Sequence, residues 1–316
     1  MLPSHGRYAY HPWPERPRHA WPGGARLAVY LGVNLEHFAY GEGLGAELAP
    51  GGGEAPGRPI RTYGQSPSVI GRPPPDVLNY AWRDYGNRVG GWRLLELLDT
   101  LALPATVLLN SAMYDYAPQL VAAHRARGDE IAGHGRTNSE RQSLLPEAEE
   151  QALIAESTAA IARHEGRAPR GWLSPWIAES RATPDLLAEA GYRYTLNWCM
   201  DDQPIWMATR AGRLLTIPYP QEVNDIPAVV ARKDGAEQFA AMVLADFEER
   251  LDQVARDGIP QVMGIALHPY IIGQPYRLRA LRGALSAIAA RRGEVWITTA
   301  GAIFDHVAAL PEGMVP

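Results

Sequence analysis

The feature that most constrains this chain is a regular alternation of short apolar runs, bounded by turn residues, with segments whose apolar residues fall at helical spacing. Residues 26–35, "RLAVYLGVNL", read as a strand buried on both faces. Then "GNRVGGWRLLELLDTLAL" has the helical period and "PATVLLN" is the next strand. The pattern continues with a helix near 115–127 and a strand at 129–133, then helix 146–164 and strand 170–173, helix 183–190 and strand 193–198. A strand at 213–218, helix 235–257, strand 261–267, helix 277–291 and strand 294–298 complete it. Strands alternating with amphipathic helices imply parallel pairing through βαβ units, and seven or eight repeats are enough to curl into a parallel (β/α)-barrel. No sequence repeat accompanies them, which argues against a solenoid.

Two stretches stand outside the alternation. Residues 1–25 are rich in Pro, Trp, Tyr and His without period and predict an extended arm; such a tail buries poorly on its own surface and well on a neighbour's, which suggests a homo-oligomer. Within the single domain expected over 26–316, residues 41–75 include "APGGGEAPGRP" and "GRPPP". A loop of that length and composition reads as an active-site flap or as plain disorder.

Composition removes several partners. A net charge of −5 gives no basic field for nucleic acid or an anionic membrane, and no apolar run is long enough to span a bilayer. The one cysteine, Cys199, excludes an internal disulfide framework, and the N-terminus has no secretory apolar region, so a soluble cytoplasmic protein with a small-molecule ligand is expected.

The polar residues are placed unevenly: nearly every expected strand ends, on its C-terminal side, in a polar or aromatic cluster. Strand one ends in Asn34, Glu36 and His37, the second in Asn110, the third in His134 and Asn138. Later strands run into Ser174 and Trp176, into Asn197, Trp198, Asp201 and Asp202, into Glu222, Asn224 and Asp225, and into His268. In a parallel barrel these ends share one face, where such folds keep their chemistry, although loops are polar in any protein.

His134 and Asn138, four residues apart, could ligate a metal together with Glu36 or His37, leaving one position for water; a loop histidine bonded to backbone is the plainer reading of His134. Glu36 is either a metal ligand or a general base that deprotonates water, with His37 as the remaining ligand. Adjacent strand residues point to opposite faces, so both serve one pocket only if the chain has already turned. His268, between Leu267 and Pro269, suits general-acid work on a leaving nitrogen. In "RDYGNRVGGW" the glycines permit close backbone approach, and Arg88 could clamp a carboxylate or carbonyl unless it merely forms a surface ion pair.

This constellation resembles the polysaccharide deacetylase (NodB-homology) superfamily. "NLEHF" resembles its first motif, a strand ending in paired carboxylates; "HGRTN" its second, His-x-x-x-His; "RGWLSPW" its third; "LNWCMDD" its fourth; and Leu267-His268 its fifth. "YGNRVGGWR" and "IPYPQEVND" are similar to segments of the deacetylase-type allantoinases and their uncharacterised relatives. The resemblance covers roughly residues 26–300 and implies a distorted, deacetylase-like (β/α)-barrel, with Arg88, Glu222, Asn224 and Asp225 at the substrate. Trp176 and Trp198 would then wall the pocket from water.

Two departures stand out. Glu36-His37 replaces the paired carboxylates, and Asn138 replaces the second metal histidine, which lowers the charge and basicity offered to a divalent ion. The expectation is a hydrolase of carbon–nitrogen bonds in a small amide, ureide or cyclic imide. It would use one divalent ion, zinc foremost, on His37, His134 and Asn138, or no metal at all, as some allantoinase-like relatives do. The alternatives are an N-acetyl-sugar deacetylase and a non-catalytic binding protein on the same fold.

Overall fold

The computed structural model describes residues 4–44 and 77–316. Most of the Gly/Pro-rich segment read as a flap therefore lies outside the described residues.

Nine strands form one curled sheet: β1 (Leu27–Leu35), β2 (Thr106–Leu109), β3 (Glu130–Gly133), β4 (Gly171–Trp172), β5 (Tyr194–Thr195), β6 (Ile205–Thr209), β7 (Gly212–Thr216), β8 (Gln261–Leu267) and β9 (Trp296–Thr298). Eight of them follow the order β6-β7-β5-β4-β3-β2-β1-β8, and β9 pairs with β1. All pairs are parallel except β6 with β7, so the mostly parallel, curled deacetylase-like architecture stands. Past β7 the seam is bridged where Asn224 pairs with Ala266 of β8. The apolar runs of β1 and β8 are buried along their whole length, as continuous runs should be when both faces are covered.

The helices cover the outside: α1 (Val77–Tyr85), α2 (Gly91–Thr100), α3 (Met113–Tyr116), α4 (Pro118–Arg127), α5 (Glu147–Glu165), α6 (Thr183–Glu189), α7 (Ala236–Asp257), α8 (Pro269–Ile272), α9 (Pro275–Ala290) and α10 (Ala300–Ala309). None of them is long and apolar enough to cross a membrane. α1 and α2 are joined without a break by a π-helical turn, Gly86–Gly90, so the helix expected from about residue 86 begins nine residues earlier.

The sheet register aligns the functional ends. Leu35, Leu109, Gly133, Trp172, Thr195 and Thr216 form one row across six strands, and Leu267 is level with Val33. Whatever follows those residues therefore emerges at the same rim, which is how Glu36, His134 and His268 come to be neighbours.

The N-terminal arm folds back on its own barrel. Trp21 is buried against Trp296 and donates its indole N–H to the Gln261 carbonyl at 3.0 Å. Arg16 is clamped by Asp201 at 2.5 and 2.6 Å, Arg7 by Asp185 at 2.6 and 2.8 Å, and the Arg7 carbonyl accepts the Ala208 N–H of edge strand β6 at 2.7 Å. Trp21 and Arg16 of the arm are thus buried on the chain's own barrel, while Tyr10 stays exposed, and the arm shields a strand edge.

Candidate active site

Glu36, His134, Asn138 and His268 line one cavity of about 100 Å³, together with Asn34, Phe38, Arg83, Trp176, Tyr219 and Asn224 among others. Glu36 is the hub. Its Oε1 accepts the Asn138 Nδ2–H at 2.6 Å and lies 3.5 Å from His134 Nε2 and 3.6 Å from His268 Nε2. Its Oε2 is buried and has no protein partner. Burial alone would push the carboxyl up, but His268, His134 and Arg83 outweigh it and hold Glu36 below the usual carboxylate range, so it is ionised at neutral pH.

The amide orientations around Glu36 are fixed by a backbone group. The His37 N–H donates to Asn110 Oδ1 at 2.8 Å, so the Asn110 Nδ2 faces the other way and donates to Asn138 Oδ1 at 3.0 Å. Asn138 is then left with Nδ2 toward Glu36. Its amide presents protons to the cavity and no oxygen.

His134 follows β3, and Gly135 after it has φ +68, a region that favours glycine; a Cβ there would meet the Pro175 ring at 2.8 Å. His134 Nδ1 bonds the Leu173 carbonyl at 2.7 Å, so Nδ1 carries the proton and donates it. Its Nε2 is buried and faces Glu36 Oε1 at 3.5 Å, with no closer hydrogen-bond partner among the described residues.

His268 follows β8 and precedes α8, whose first N–H groups its carbonyl accepts. Asp225, fully buried, uses one oxygen on the His268 backbone N–H at 2.7 Å and the other on Nδ1 at 2.6 Å. Burial works against a charged imidazole, but the carboxylates of Asp225 and Glu36 overcome it and raise the His268 pKa; burial likewise raises that of Asp225. The result is an imidazole held by its Nδ1–H with Nε2 facing the cavity.

The π-helical turn braces both groups. Asn87 donates its Nδ2–H to the Glu36 carbonyl at 2.8 Å. Gly86 and Gly90 lie flush against the His268-Pro269-Tyr270 turn: a Cβ at Gly90 would sit 2.1 Å from the Pro269 carbonyl oxygen, and one at Gly86 2.7 Å from the Tyr270 nitrogen. On the opposite wall Trp176 and Ile177 have φ of 64° and 54°, a strained pair of the kind that recurs at functional sites, and Trp176 Nε1 donates to the Asn138 carbonyl at 2.9 Å.

Five expected site residues stand elsewhere. His37 points away from Glu36, as strand alternation dictates; its ring packs on Tyr116 at 4.5 Å. Arg88 lies on the exposed face of the π-helical turn. Trp198 donates to Glu179 at 2.7 Å and packs on Tyr8 of the N-terminal arm. Glu222 is exposed and pairs with Arg232 at 3.2 Å. Asp225 reaches the site only through His268. Asn224 lines the cavity, but its amide is spent on its own loop, on the Ile226 N–H at 3.1 Å and the Pro220 carbonyl at 3.3 Å. Sequence reasoning missed Arg83, Phe38 and Tyr219. Asn79 and Arg83, one helical turn apart, would have been the signal had the helix been extended toward the Gly/Pro segment.

The expected metal set does not fit this cavity. His37 is turned away, Asn138 offers an NH₂ where an oxygen is needed, and His268 and Arg83 add positive charge. Among the described residues no group of three or more His, Cys, Asp or Glu side chains could hold an ion.

A family model described as polysaccharide deacetylase matches residues 80–195. A Schizosaccharomyces pombe protein described as "Putative polysaccharide deacetylase" is 27% identical over 304 residues, covering 88% of this chain and 89% of that one. Among solved structures, a probable polysaccharide deacetylase from Pseudomonas aeruginosa superposes with a TM-score of 0.73 at 24% identity, over 92% of this chain and 93% of the other. Puue allantoinase does so with a TM-score of 0.73 at 24% identity, over 95% of both chains. At that identity the two structures speak to the fold.

Proposed function

We propose, from the premise that this chain belongs to the polysaccharide deacetylase family, that its cavity hydrolyses the carbon–nitrogen bond of a small amide or ureide with Glu36 as base and His268 as acid. The observation that carries this reading is the pairing of a carboxylate held low and an imidazole held high, 3.6 Å apart in one buried cavity. Their opposed displacements make one a proton acceptor and the other a donor at the same neutral pH.

In this scheme Glu36 takes a proton from water as the water oxygen bonds to the carbonyl carbon and the C=O π pair moves to oxygen. The Asn138 amide holds Oε1 in place, and His134 Nε2, 3.5 Å from the same oxygen, keeps the carboxylate ionised and aimed at the cavity. On collapse the C–N bond breaks, its electron pair stays on nitrogen, and nitrogen takes the proton from His268 Nε2. Glu36 then returns its proton to His268, its neighbour, and both are reset. No step needs a metal. The cavity volume of about 100 Å³ suits a small amide better than a run of sugar rings.

The test is a panel of small amides, ureides and N-acetylated sugar oligomers, assayed with zinc and with chelator, on wild type, Glu36→Gln and His268→Gln. Turnover of a small amide, indifferent to chelator and reduced about 10²–10⁴-fold in each variant, is expected. Turnover confined to the sugar oligomers, or dependent on added zinc, refutes the reading, and no turnover at all leaves a binding protein.

A further inference from the structure

Two arginines are buried among the described residues, and they are treated differently. Arg16, 8% exposed, is gripped by both oxygens of Asp201. Arg83, 6% exposed, forms no ion pair with a carboxylate of the described residues, although it lines the same cavity as Glu36 and His268. Its Nε donates to Asn79 Oδ1 at 3.0 Å, one turn back in α1. Its guanidinium carbon lies 3.9 Å from the centre of the Phe38 ring, 5.4 Å from that of Tyr270 and 5.6 Å from that of Trp176.

An aromatic sleeve of this kind stabilises the faces of a guanidinium and fixes its plane, and the Tyr270 hydroxyl hydrogen-bonds to it, but none of these groups supplies a negative charge. A buried cation without a contacting anion is costly, and the natural complement of that planar fork is a carboxylate. Glu36 turns its Oε1 to Asn138 and the two histidines, and no carboxylate of the described residues pairs with the Arg83 fork, so a ligand carboxylate is its complement. Repulsion from Glu36 in the same small space is smaller for a monocarboxylate than for a dianion such as phosphate.

We propose that Arg83 is the anchor for a carboxylate on the substrate, so that the site takes a small amido acid or ureido acid in preference to its neutral counterpart. This rests on the hydrolase reading for which bond is cut, but the anchor itself is a binding site that can be tested without turnover.

The probes are malonamate and its neutral isostere malonamide, titrated by calorimetry and by tryptophan fluorescence, since Trp176 borders the guanidinium. Wild type and Glu36→Gln should both bind malonamate at least about tenfold more tightly than malonamide. Arg83→Met should abolish that preference and Arg83→Lys should keep part of it, with circular dichroism and thermal melting to show that each variant is folded. Equal affinity of the wild type for the two probes overturns the proposal whether or not any variant folds. So does a preference that survives in folded Arg83→Met, or a loss in that variant that is the same for acid and amide, which would place Arg83 on the scissile carbonyl instead. A malonamate preference without turnover of any amide removes the hydrolase reading and leaves the anchor; turnover of amides with no preference for acids does the reverse.

Discussion

Asp225→Asn separates orientation from charge at the acid. In the wild type one Asp225 oxygen accepts the His268 backbone N–H at 2.7 Å and the other faces Nδ1 at 2.6 Å. The backbone N–H can only donate, so the amide oxygen of an asparagine must take that place and its NH₂ must face Nδ1. Nδ1 then has to accept, and a protonated imidazole would bring its N–H against two amide hydrogens. A charge-assisted hydrogen bond contributes about 1.5–3 kcal/mol, and one pKa unit is about 1.4 kcal/mol, so the His268 pKa should fall by roughly one to two units from its raised position. The acid is active when protonated; its alkaline limb in the rate profile should therefore move to lower pH by roughly one to two units, and on the alkaline side of both limbs the lost protonation alone should cost about 10–100-fold in kcat. The assay is kcat/KM against pH for wild type and variant, with the His268 ring protons followed by NMR. An alkaline limb in the same place in both proteins would refute the argument.

Asn138→Ala removes the donor on Glu36 Oε1, so the Glu36 pKa should rise and the acid limb of the profile should move to higher pH by about one unit; an unmoved limb contradicts the assigned amide orientation. Gly90→Ala puts a Cβ 2.1 Å from the Pro269 carbonyl oxygen and should cost about 1–3 kcal/mol by urea denaturation, together with lost activity, despite alanine's better helix propensity. His19 is buried beside Trp21 and His306, and burial lowers its pKa to about 4. Its neutral form is the one that fits, so this contribution to stability is complete above about pH 6.5 and lost as pH falls toward 4. Denaturation curves of His19→Gln should lose that part of the acid sensitivity.

Much of the architecture was legible because the physics was local. β1 and β8 are continuous apolar runs, and α5, α7 and α9 show apolar residues at helical spacing between turn residues. β6 was hidden: its five residues alternate weakly in burial, and it is held by antiparallel pairing with β7 on one side and by the Arg7 and Pro316 carbonyls, which accept its Ala208 and Trp206 N–H groups, on the other. The rim that gathers Glu36, His134 and His268 follows from parallel register and was readable. What each neighbour does there was not. Nothing in the apolar spacing marked the π-helical turn, which leaves Arg88 exposed, and the guanidinium in the cavity belongs to Arg83 in α1 just before it. Asp225 gave no sign that both its oxygens would be spent on one histidine 43 positions later.

The line of donors that starts at the His37 amide and runs through Asn110 and Asn138 to Glu36 has one direction only. Carboxamide nitrogens do not take up protons near neutrality, so the back of the Glu36 carboxylate is insulated from proton exchange. A proton captured there can return only forward, to an imidazole or to whatever occupies the cavity. The wall thus acts as an insulator, and proton exchange with this acid–base pair runs through the cavity.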